Sequence, residues 1–155
     1  MSAVHLLAFE LRGRRFALPA PLVREVVRAV AVSALPPAPE IIEGVINVRG
    51  TLVPVVDVAR RFGLEPEPLH PDQHLIVAQA GPRLVAVRVD RAVDLMRVES
   101  DDIVPVAAVA PGAEHVAGLA RLPDGVLVIQ DLERFLSLDE GARVDAAVAA
   151  AAESR

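Results

Sequence analysis

The sequence predicts a mainly β protein in which a small barrel occurs twice, and three observations support this class. Most of the chain consists of short runs rich in Val, Ile and Leu that are separated by Pro and Gly. Residues 44–57 and 118–131, GVINVRGTLVPVVD and GLARLPDGVLVIQD, align with each other, which indicates a duplication with pseudo-twofold symmetry. The chain has 155 residues, 53% of them hydrophobic, which is enough to form a substantial core.

The first half contains two predicted hairpins. Their strands are Val4–Leu11 with Arg15–Leu18, around Gly13, and Gly44–Val48 with Thr51–Val56, around Arg49-Gly50. Residues 22–30 fit either a helical turn or a strand, and the pattern leaves both open. Residues 35–39 contain three prolines and are expected to form an extended connector. Residues 57–63 are predicted to form a short helix that Gly63 ends.

The second half repeats this order after a Pro-rich loop at residues 65–72. Its predicted strands are His74–Gln79, Leu84–Val89, Val116–Leu122 and Val126–Ile129, and residues 91–98 echo the ambiguous segment 22–30. A short helix is expected from Asp131 to Leu136. We therefore expect one duplicated domain at residues 1–138, with halves at about 1–64 and 73–138. The Ala-rich tail, residues 139–155, has high helix propensity and could either dock or fray.

Composition excludes several classes of function. The net charge of -5 argues against nucleic acid or an anionic membrane as the main partner. The absence of Cys excludes disulfides and thiolate chemistry. The sequence shows no signal peptide and no apolar run long enough to cross a bilayer, so we expect a soluble, cytoplasmic protein without direct membrane insertion.

No constellation of residues indicates catalysis, a metal or another cofactor. His70 and His74 are four residues apart, but Pro71 and the loop context argue against a shared ion. Asp57 and Asp131 could form an acid–base pair. The stronger interpretation is that each Asp accepts backbone N–H groups at the start of a short helix, as an N-cap. We therefore expect a protein that is not an enzyme.

The turn between the strands of the second hairpin contains the strongest candidate for a binding residue. Gly50 is suited to positive φ, and Asn47 can hydrogen-bond to neighbouring backbone. Arg49 has two equally weighted interpretations. It could form an ion pair inside the domain, with Glu25 or Glu43, or it could contact another protein.

Residues 41–63, IIEGVINVRGTLVPVVDVARRFG, closely resemble the signature of the CheW family of bacterial chemotaxis coupling proteins. FELRGRRFALPAPLVREVV near the start, LIVAQAGPRLVAVRVDRAVDLMRV in the middle and HVAGLARLPDGVLVIQDLERFL near the end resemble other parts of the family pattern. The resemblance therefore covers nearly the whole chain. The short length favours a free-standing adaptor over a kinase fragment.

The resemblance implies both a fold and a function. It implies two five-stranded SH3-like β-barrels around a common hydrophobic core. It also implies an adaptor that links the cytoplasmic tips of methyl-accepting chemoreceptors to the regulatory domain of the histidine kinase CheA, with the receptor tip in a groove between the barrels. Such a protein would be cytoplasmic and recruited to membrane-bound receptor arrays. An adaptor for a non-flagellar system, such as gliding, pili or gene regulation, would share the same motifs.

The resemblance also suggests individual residues. Val23 and Glu25 match a Val-x-Glu element implicated in receptor contact, and Arg49 matches the signature Arg associated with receptor binding. We expect protein binding to involve Val23, Glu25, Asn47, Arg49, Gly50 and Gly118. We expect structural roles for Gly44, Asp57 and Asp131.

Overall fold

The computed structural model describes residues 2–29, 32–33, 41–61, 64–65, 67–105, 116–134 and 138–153. Within these ranges the strands are β1 (Ala3–Leu11), β2 (Arg14–Pro19), β3 (Val23–Arg28), β4 (Ile42–Val48), β5 (Thr51–Val56), β6 (His74–Ala80), β7 (Arg83–Val89), β8 (Arg91–Glu99), β9 (Ile103–Pro105), β10 (Val116–Leu122) and β11 (Gly125–Gln130). The helices are α1 (Val58–Arg61) and α2 (Leu138–Glu153). Short 3-10 turns, Ala20–Leu22 and Ser100–Asp102, precede β3 and β9.

The strands form two mixed sheets, and this confirms the mainly β class. The first sheet has the order β8-β1-β2-β11-β10-β9, and the second has the order β3-β6-β7-β5-β4. The expected five strands are present in the second sheet, whereas the first has a sixth, the short β9. Each sheet contains the first hairpin of one half and later strands of the other half. We call these two hairpins, β1–β2 and β6–β7, the exchanged hairpins, because each lies in the sheet of the other half. A parallel pair joins each of them to that sheet: β2 pairs with β11, and β7 pairs with β5.

The two halves match each other in register as well as in sequence. The pairing of β4 with β5 shifts between Ile42 and Gly44, and the pairing of β10 with β11 shifts between Val116 and Gly118. The two ambiguous segments, β3 and β8, are both strands, and each has one register shift near its start. The two halves are therefore related by pseudo-symmetry in their backbone pairing as well as in their sequences.

The buried apolar side chains of the described residues form three clusters. One lies inside the first sheet and contains Leu6, Ala8 and Leu127, and another lies inside the second sheet and contains Leu75 and Val77. The third and largest cluster combines residues of both sheets, for example Leu7, Phe9, Phe16, Leu18, Ile76, Ala78, Val85 and Val87. Alternate residues of β1 and β6 thus point into a barrel and into a core that the two barrels share.

The tail helix α2 packs on this shared core. Its residues Val144 and Ala147 are buried in the shared cluster, and Val148 and Ala151 pack against it. These positions follow the i, i+3, i+4, i+7 spacing of one helix face. Arg83 on β7 donates to both carboxylate oxygens of Asp145, at 3.0 and 2.9 Å. Of the two alternatives for the tail, docking is the one observed.

Some expected elements differ from the observed ones. Residues 131–134, expected to begin a helix, form a bend and a turn, and residues 135–136 lie outside the described ranges. Helix α1 is present, but Gly63, its expected end, also lies outside them, as does the connector at 35–39. No helix of the described segments is both long and apolar enough to cross a membrane.

A buried ion pair holds the loop between the halves against the second sheet. Arg88 on β7 contacts Glu43 Oε1 at 2.7 Å and donates to the carbonyl oxygen of Glu67 at 2.7 Å. The other carboxylate oxygen of Glu43 is buried and has no hydrogen-bond partner in the described chain. Burial raises the pKa of Glu43 to about 7, because desolvation outweighs the attraction of Arg88 and the nearby Asp57 adds repulsion.

Substitution of Gly44 by Ala should destabilise the fold strongly. A Cβ at this position would lie 2.2 Å from the backbone oxygen of Ser33, which exchanges two hydrogen bonds with Val45. The clash involves backbone and cannot be relieved by a rotamer change. We expect a loss of about 3 kcal/mol in the free energy of unfolding, measured by urea denaturation.

The matched control is Gly118→Ala at the aligned position. Its Cβ would lie 3.0 Å from the backbone oxygen of Val104, so a shift of a few tenths of an ångström relieves it. We expect a loss of about 1 kcal/mol. Equal losses for the two variants would contradict the account given for Gly44.

The Glu43 carboxyl should make stability fall as pH rises. Its pKa in the folded state is raised, so the folded state binds more protons than the unfolded state between about pH 4.5 and pH 7. The free energy of unfolding of the wild type should therefore decrease by about 2 kcal/mol across this range, relative to Glu43→Gln. Denaturation of both proteins at several pH values measures the difference.

Glu10→Gln is the control for this pH series. Glu10 also pairs with an Arg, Arg91, but its hydrogen bonds with that side chain lower the pKa. The contribution of this pair to stability is lost only when the pH falls below the ordinary pKa of a Glu side chain. Above pH 5 the unfolding free energy of Glu10→Gln should therefore change with pH in the same way as that of the wild type. A profile of Glu43→Gln that stays parallel to the wild type would refute the role of Glu43.

Candidate functional site

The turn between β4 and β5 has a left-handed backbone. Arg49 has φ 51° and Gly50 has φ 89°, between the paired residues Val48 and Thr51. Two positive φ values are required by the two-residue turn that matches the twist of a hairpin. The Asn47 side chain accepts a hydrogen bond from the backbone N–H of Gly50 at 2.7 Å. Asn47 and Gly50 therefore fix the direction in which Arg49 leaves the turn.

Arg49 extends from this turn to the edge strand β3. Its Nη2 donates to Glu25 Oε2 at 3.1 Å, and 84% of its side chain is exposed, against 24% for Glu25. A non-glycine residue in the left-handed region costs about 1 kcal/mol or more. An exposed ion pair contributes little stability in return. Positive φ at Arg49 is therefore not explained by the stability of the pair.

The hairpin between β1 and β2 provides a comparison, because it also turns on an Arg-Gly pair with positive φ, Arg12-Gly13. The Arg12 side chain is only 17% exposed, contacts Glu67 Oε2 at 3.1 Å and bonds to the backbone oxygen of Glu65. Arg12 thus anchors the loop between the halves. Arg49 holds no loop among the described residues and keeps most of its surface in solvent.

The ion pair joins the two edges of the second sheet. Glu25 lies on β3 and Arg49 follows β4, and these strands stand at opposite ends of the sheet order. The pair therefore spans the seam where the sheet curves round on itself. Glu43, the other candidate partner of Arg49, pairs with Arg88 instead.

The remaining predicted binding residues lie elsewhere. Val23 begins β3 and is half-buried against the shared core. Gly118 is buried on β10 of the first sheet, close to Val104 on β9. The structure thus brings Glu25, Asn47, Arg49 and Gly50 together, and Gly118 belongs to the other sheet.

Asp57 and Asp131 have the same local geometry. Each accepts a hydrogen bond at 3.2 Å from the backbone N–H three residues later, that of Arg60 or Arg134. The side chains of these arginines approach the same carboxylates at 3.8 and 3.9 Å. Each carboxylate therefore caps the turn that follows its own strand, Asp57 after β5 and Asp131 after β11.

Gln130, which the sequence pattern did not indicate, is a further polar residue of interest. It is 1% exposed, and neither its Oε1 nor its Nε2 has a hydrogen-bond partner within the described chain. Only the alignment of the two halves could have drawn attention to Gln130, because the residue aligned with it is the apolar Val56. A polar residue in place of an apolar one in a duplicated core requires a separate explanation.

The histidines and carboxylates do not converge. Within the ranges that the structure describes, no group of three His, Asp or Glu side chains is placed to hold a metal ion. His70 Nδ1 accepts from the backbone N–H of Asp72 at 3.1 Å, which is a local turn contact.

Comparison with known proteins identifies the family. The CheW-like domain model matches residues 5–140. Chemotaxis protein CheW of Klebsiella aerogenes is 30% identical over 141 residues, which cover 90% of this chain and 85% of the relative. Protein FrzA of Myxococcus xanthus is 31% identical over 114 residues, 73% of this chain and 71% of the relative.

A solved structure agrees with this assignment. The crystal structure of the scaffolding protein TtCheW from Thermoanaerobacter tengcongensis is similar with a TM-score of 0.81 and 26% identity, over 90% of this chain and 96% of that one. The two sheets with a shared core are thus the SH3-like barrels that the resemblance implies. On the family match, the relatives and this structure together, the chain belongs to the CheW family of chemotaxis adaptor proteins.

Proposed function

We propose that this chain is a non-enzymatic adaptor that couples methyl-accepting chemoreceptors to the histidine kinase CheA by binding both. In this proposal the protein acts in the cytoplasm and is recruited to membrane-bound receptor arrays. Its main support is the family membership, together with the similarity to proteins named chemotaxis protein CheW. The coupling would change the relative placement of the partners, and no reaction would occur in this chain.

The single observation that carries the proposal is the exposed Glu25–Arg49 pair. It presents a cation and an anion 3.1 Å apart at the seam of the second barrel, on a backbone that is held rigidly by the hairpin. The Arg49 guanidinium has several N–H donors, and it can bond to a partner carboxylate or carbonyl without releasing Glu25. Such a pair orients a partner and selects among partners, while the apolar contacts supply most of the affinity.

A second partner needs a second surface. Leu95 on β8 is 69% exposed and Val126 on β11 is 54% exposed, both in the first sheet. These side chains would provide apolar contact for a CheW-like domain of the kinase. In this arrangement each barrel contributes to a different interface, so receptor and kinase can be bound together.

The alternative is a CheW-like adaptor of a non-flagellar system, such as gliding, pili or gene regulation. The similarity to FrzA, a relative that is not named as a chemotaxis protein, favours it. The two functions use the same fold and differ in their partners. Titration with the kinases encoded near this gene, compared with the flagellar kinase of the same genome, distinguishes them.

Replacement of Arg49 by Ala should weaken receptor binding without unfolding the protein. The side chain is mostly solvent-exposed, so its loss removes little packing. We expect about a tenfold weaker affinity for a receptor-tip hairpin, measured by isothermal titration calorimetry, with a thermal unfolding transition that remains cooperative. Affinity for the kinase regulatory domain should stay within a factor of about two.

Arg15→Ala is the charge-matched control. Arg15 forms a surface ion pair with Asp124 at 3.0 Å, away from the β4–β5 turn. Its replacement changes the net charge equally and should leave receptor affinity nearly unchanged. If Arg49→Ala unfolds, Arg49 has a structural role, and if both variants bind as the wild type does, the proposed contact is wrong.

A further inference from the structure

Residues 67–72, which we call the strap, lie against the end of the second sheet without forming a strand or a helix. Among the described residues, the backbone of the strap makes no hydrogen bond to any strand or helix. Side chains hold it instead: Arg88 on β7 donates to the Glu67 carbonyl oxygen at 2.7 Å, and Arg12, in the β1–β2 turn, contacts Glu67 Oε2 at 3.1 Å. A segment held in this way can open without breaking the pairing of the strands.

The strap forms most of the wall of a cavity of about 640 Å³. Gln73 and Asp90 line the remainder, and Gln73 is buried. The Gln73 Oε1 accepts from the backbone N–H of His70 at 2.9 Å, and its Nε2 donates to Asp90 Oδ1 at 3.0 Å. Lifting of the strap would therefore break the bond to His70 and admit water to the side chains beneath it.

The Glu43 carboxylate lies next to the strap, because both contact the same nitrogen. Arg88 Nη2 is 2.7 Å from Glu43 Oε1 and 2.7 Å from the carbonyl oxygen of Glu67. The second carboxylate oxygen, Oε2, is buried and has no hydrogen-bond partner in the described chain. An ionised carboxylate with an unpaired buried oxygen is costly, whereas a protonated carboxyl is buried at lower cost. The closed strap therefore favours protonated Glu43.

Charged groups on β7, on α1 and at the end of β5 face Glu43. Arg88 and Arg60 attract the ionised carboxylate, and Asp57 repels it. Desolvation outweighs both attractions, so the pKa of Glu43 in the closed form is raised to about 7. Contact with water would remove most of this desolvation and return the pKa towards the ordinary value of Glu, so an open form would bind fewer protons.

We propose that the strap is a proton-controlled closure, which protonation of Glu43 holds shut and ionisation of Glu43 loosens. The shared Arg88 guanidinium transmits the change, because the ionised carboxylate gains water only when the strap moves away from that side chain. Since the pKa is raised in the closed form, closure is strongest below about pH 4.5, weakens as pH rises towards about 7 and does not weaken further above it. This closure needs no partner protein, so it is independent of the proposed function.

Amide hydrogen exchange of the full chain measures the opening. The reporters are the backbone amides of His70, Asp72 and Gln73, which are all hydrogen-bonded. After correction for the intrinsic pH dependence of exchange, we expect the opening constant of the strap to increase about tenfold or more from pH 5 to pH 7.5. In Glu43→Gln, which cannot ionise, it should change by less than a factor of about two.

The amides of β1, in the middle of its sheet, report global unfolding and are the internal reference. The strap should exchange faster than β1 at every pH, and low concentrations of urea should leave its rate unchanged. Exchange of the strap at the same rate as β1 would show that this segment opens only when the whole protein unfolds, and it would overturn the inference.

Two further variants test whether Glu43 is the group that titrates. Histidine ordinarily changes charge in the same pH range, and His70 lies on the strap. His70→Asn and Glu10→Gln, which removes a carboxylate that pairs with Arg91 in the first sheet, should both keep the pH dependence of the wild type. If His70→Asn abolishes this dependence, or if Glu43→Gln retains it, the assignment to Glu43 is wrong.

A measurement on the wild type covers the case in which Glu43→Gln does not fold. The ¹³C chemical shift of the Glu43 carboxyl should titrate at the pH where the opening constant of the strap levels off. Titration near the ordinary Glu value would contradict the inference.

Discussion

Burial of the β1–β2 and β6–β7 hairpins on both faces is the constraint on which the rest of the structure depends. Each hairpin belongs in sequence to one half and pairs in parallel with the last strand of the other half. One face of each fills a barrel and the other face forms the shared core. Neither barrel can therefore separate without exposing this core, whose burial stabilises the fold by the largest single contribution.

The same constraint determines where binding can occur. The exchanged hairpins occupy the middle of the sheets, so β3 and β4 remain at the edges of the second sheet and β8 and β9 at the edges of the first. Edge strands and turns have the exposed side chains and free backbone groups that partners use. Glu25 and Arg49 lie at such an edge, and the hairpin that holds them is fixed by the core beneath it.

Local patterns predicted much of this arrangement, and the remainder depends on contacts between distant residues. Of the eleven strands in the described residues, alternation and turn residues predicted eight as strands and two as ambiguous segments, because each pattern is local. The sequence pattern did not predict the exchange of hairpins between the sheets, because β1 and β6 would have the same alternation of apolar residues in either sheet. The three-residue strand β9 has too little sequence for a pattern. The expected helix after Asp131 is a turn in its described part, although Asp131 accepts the same capping bond as Asp57, which helix α1 follows; the capping pattern alone therefore does not determine whether a helix forms.

The candidate site was predictable in part for the same reason. The Arg-Gly turn identified Arg49 as a candidate. The sequence left open whether Glu25 or Glu43 pairs with it, because this depends on how distant strands pack; in the structure the partner is Glu25. Gln130 was the opposite case. It stands in an apolar run, and only its burial without a hydrogen-bond partner distinguishes it from Val56, the aligned residue.

The two halves depart from their pseudo-symmetry at the surface. Arg49 aligns with Pro123, which has neither a cationic side chain nor an N–H donor, so the β10–β11 turn has no cation; its charged residue is Asp124, which pairs with Arg15. Val26 on β3 corresponds by register to Leu95 on β8, whose larger apolar side chain is the more exposed of the two. The second barrel thus presents the Glu25–Arg49 pair at its seam, whereas the first presents the exposed Leu95 on an edge strand that also carries the Arg97–Glu99 pair. Because two identical surfaces would compete for the same partner, this divergence is consistent with the proposed adaptor function, in which each barrel contacts a different protein.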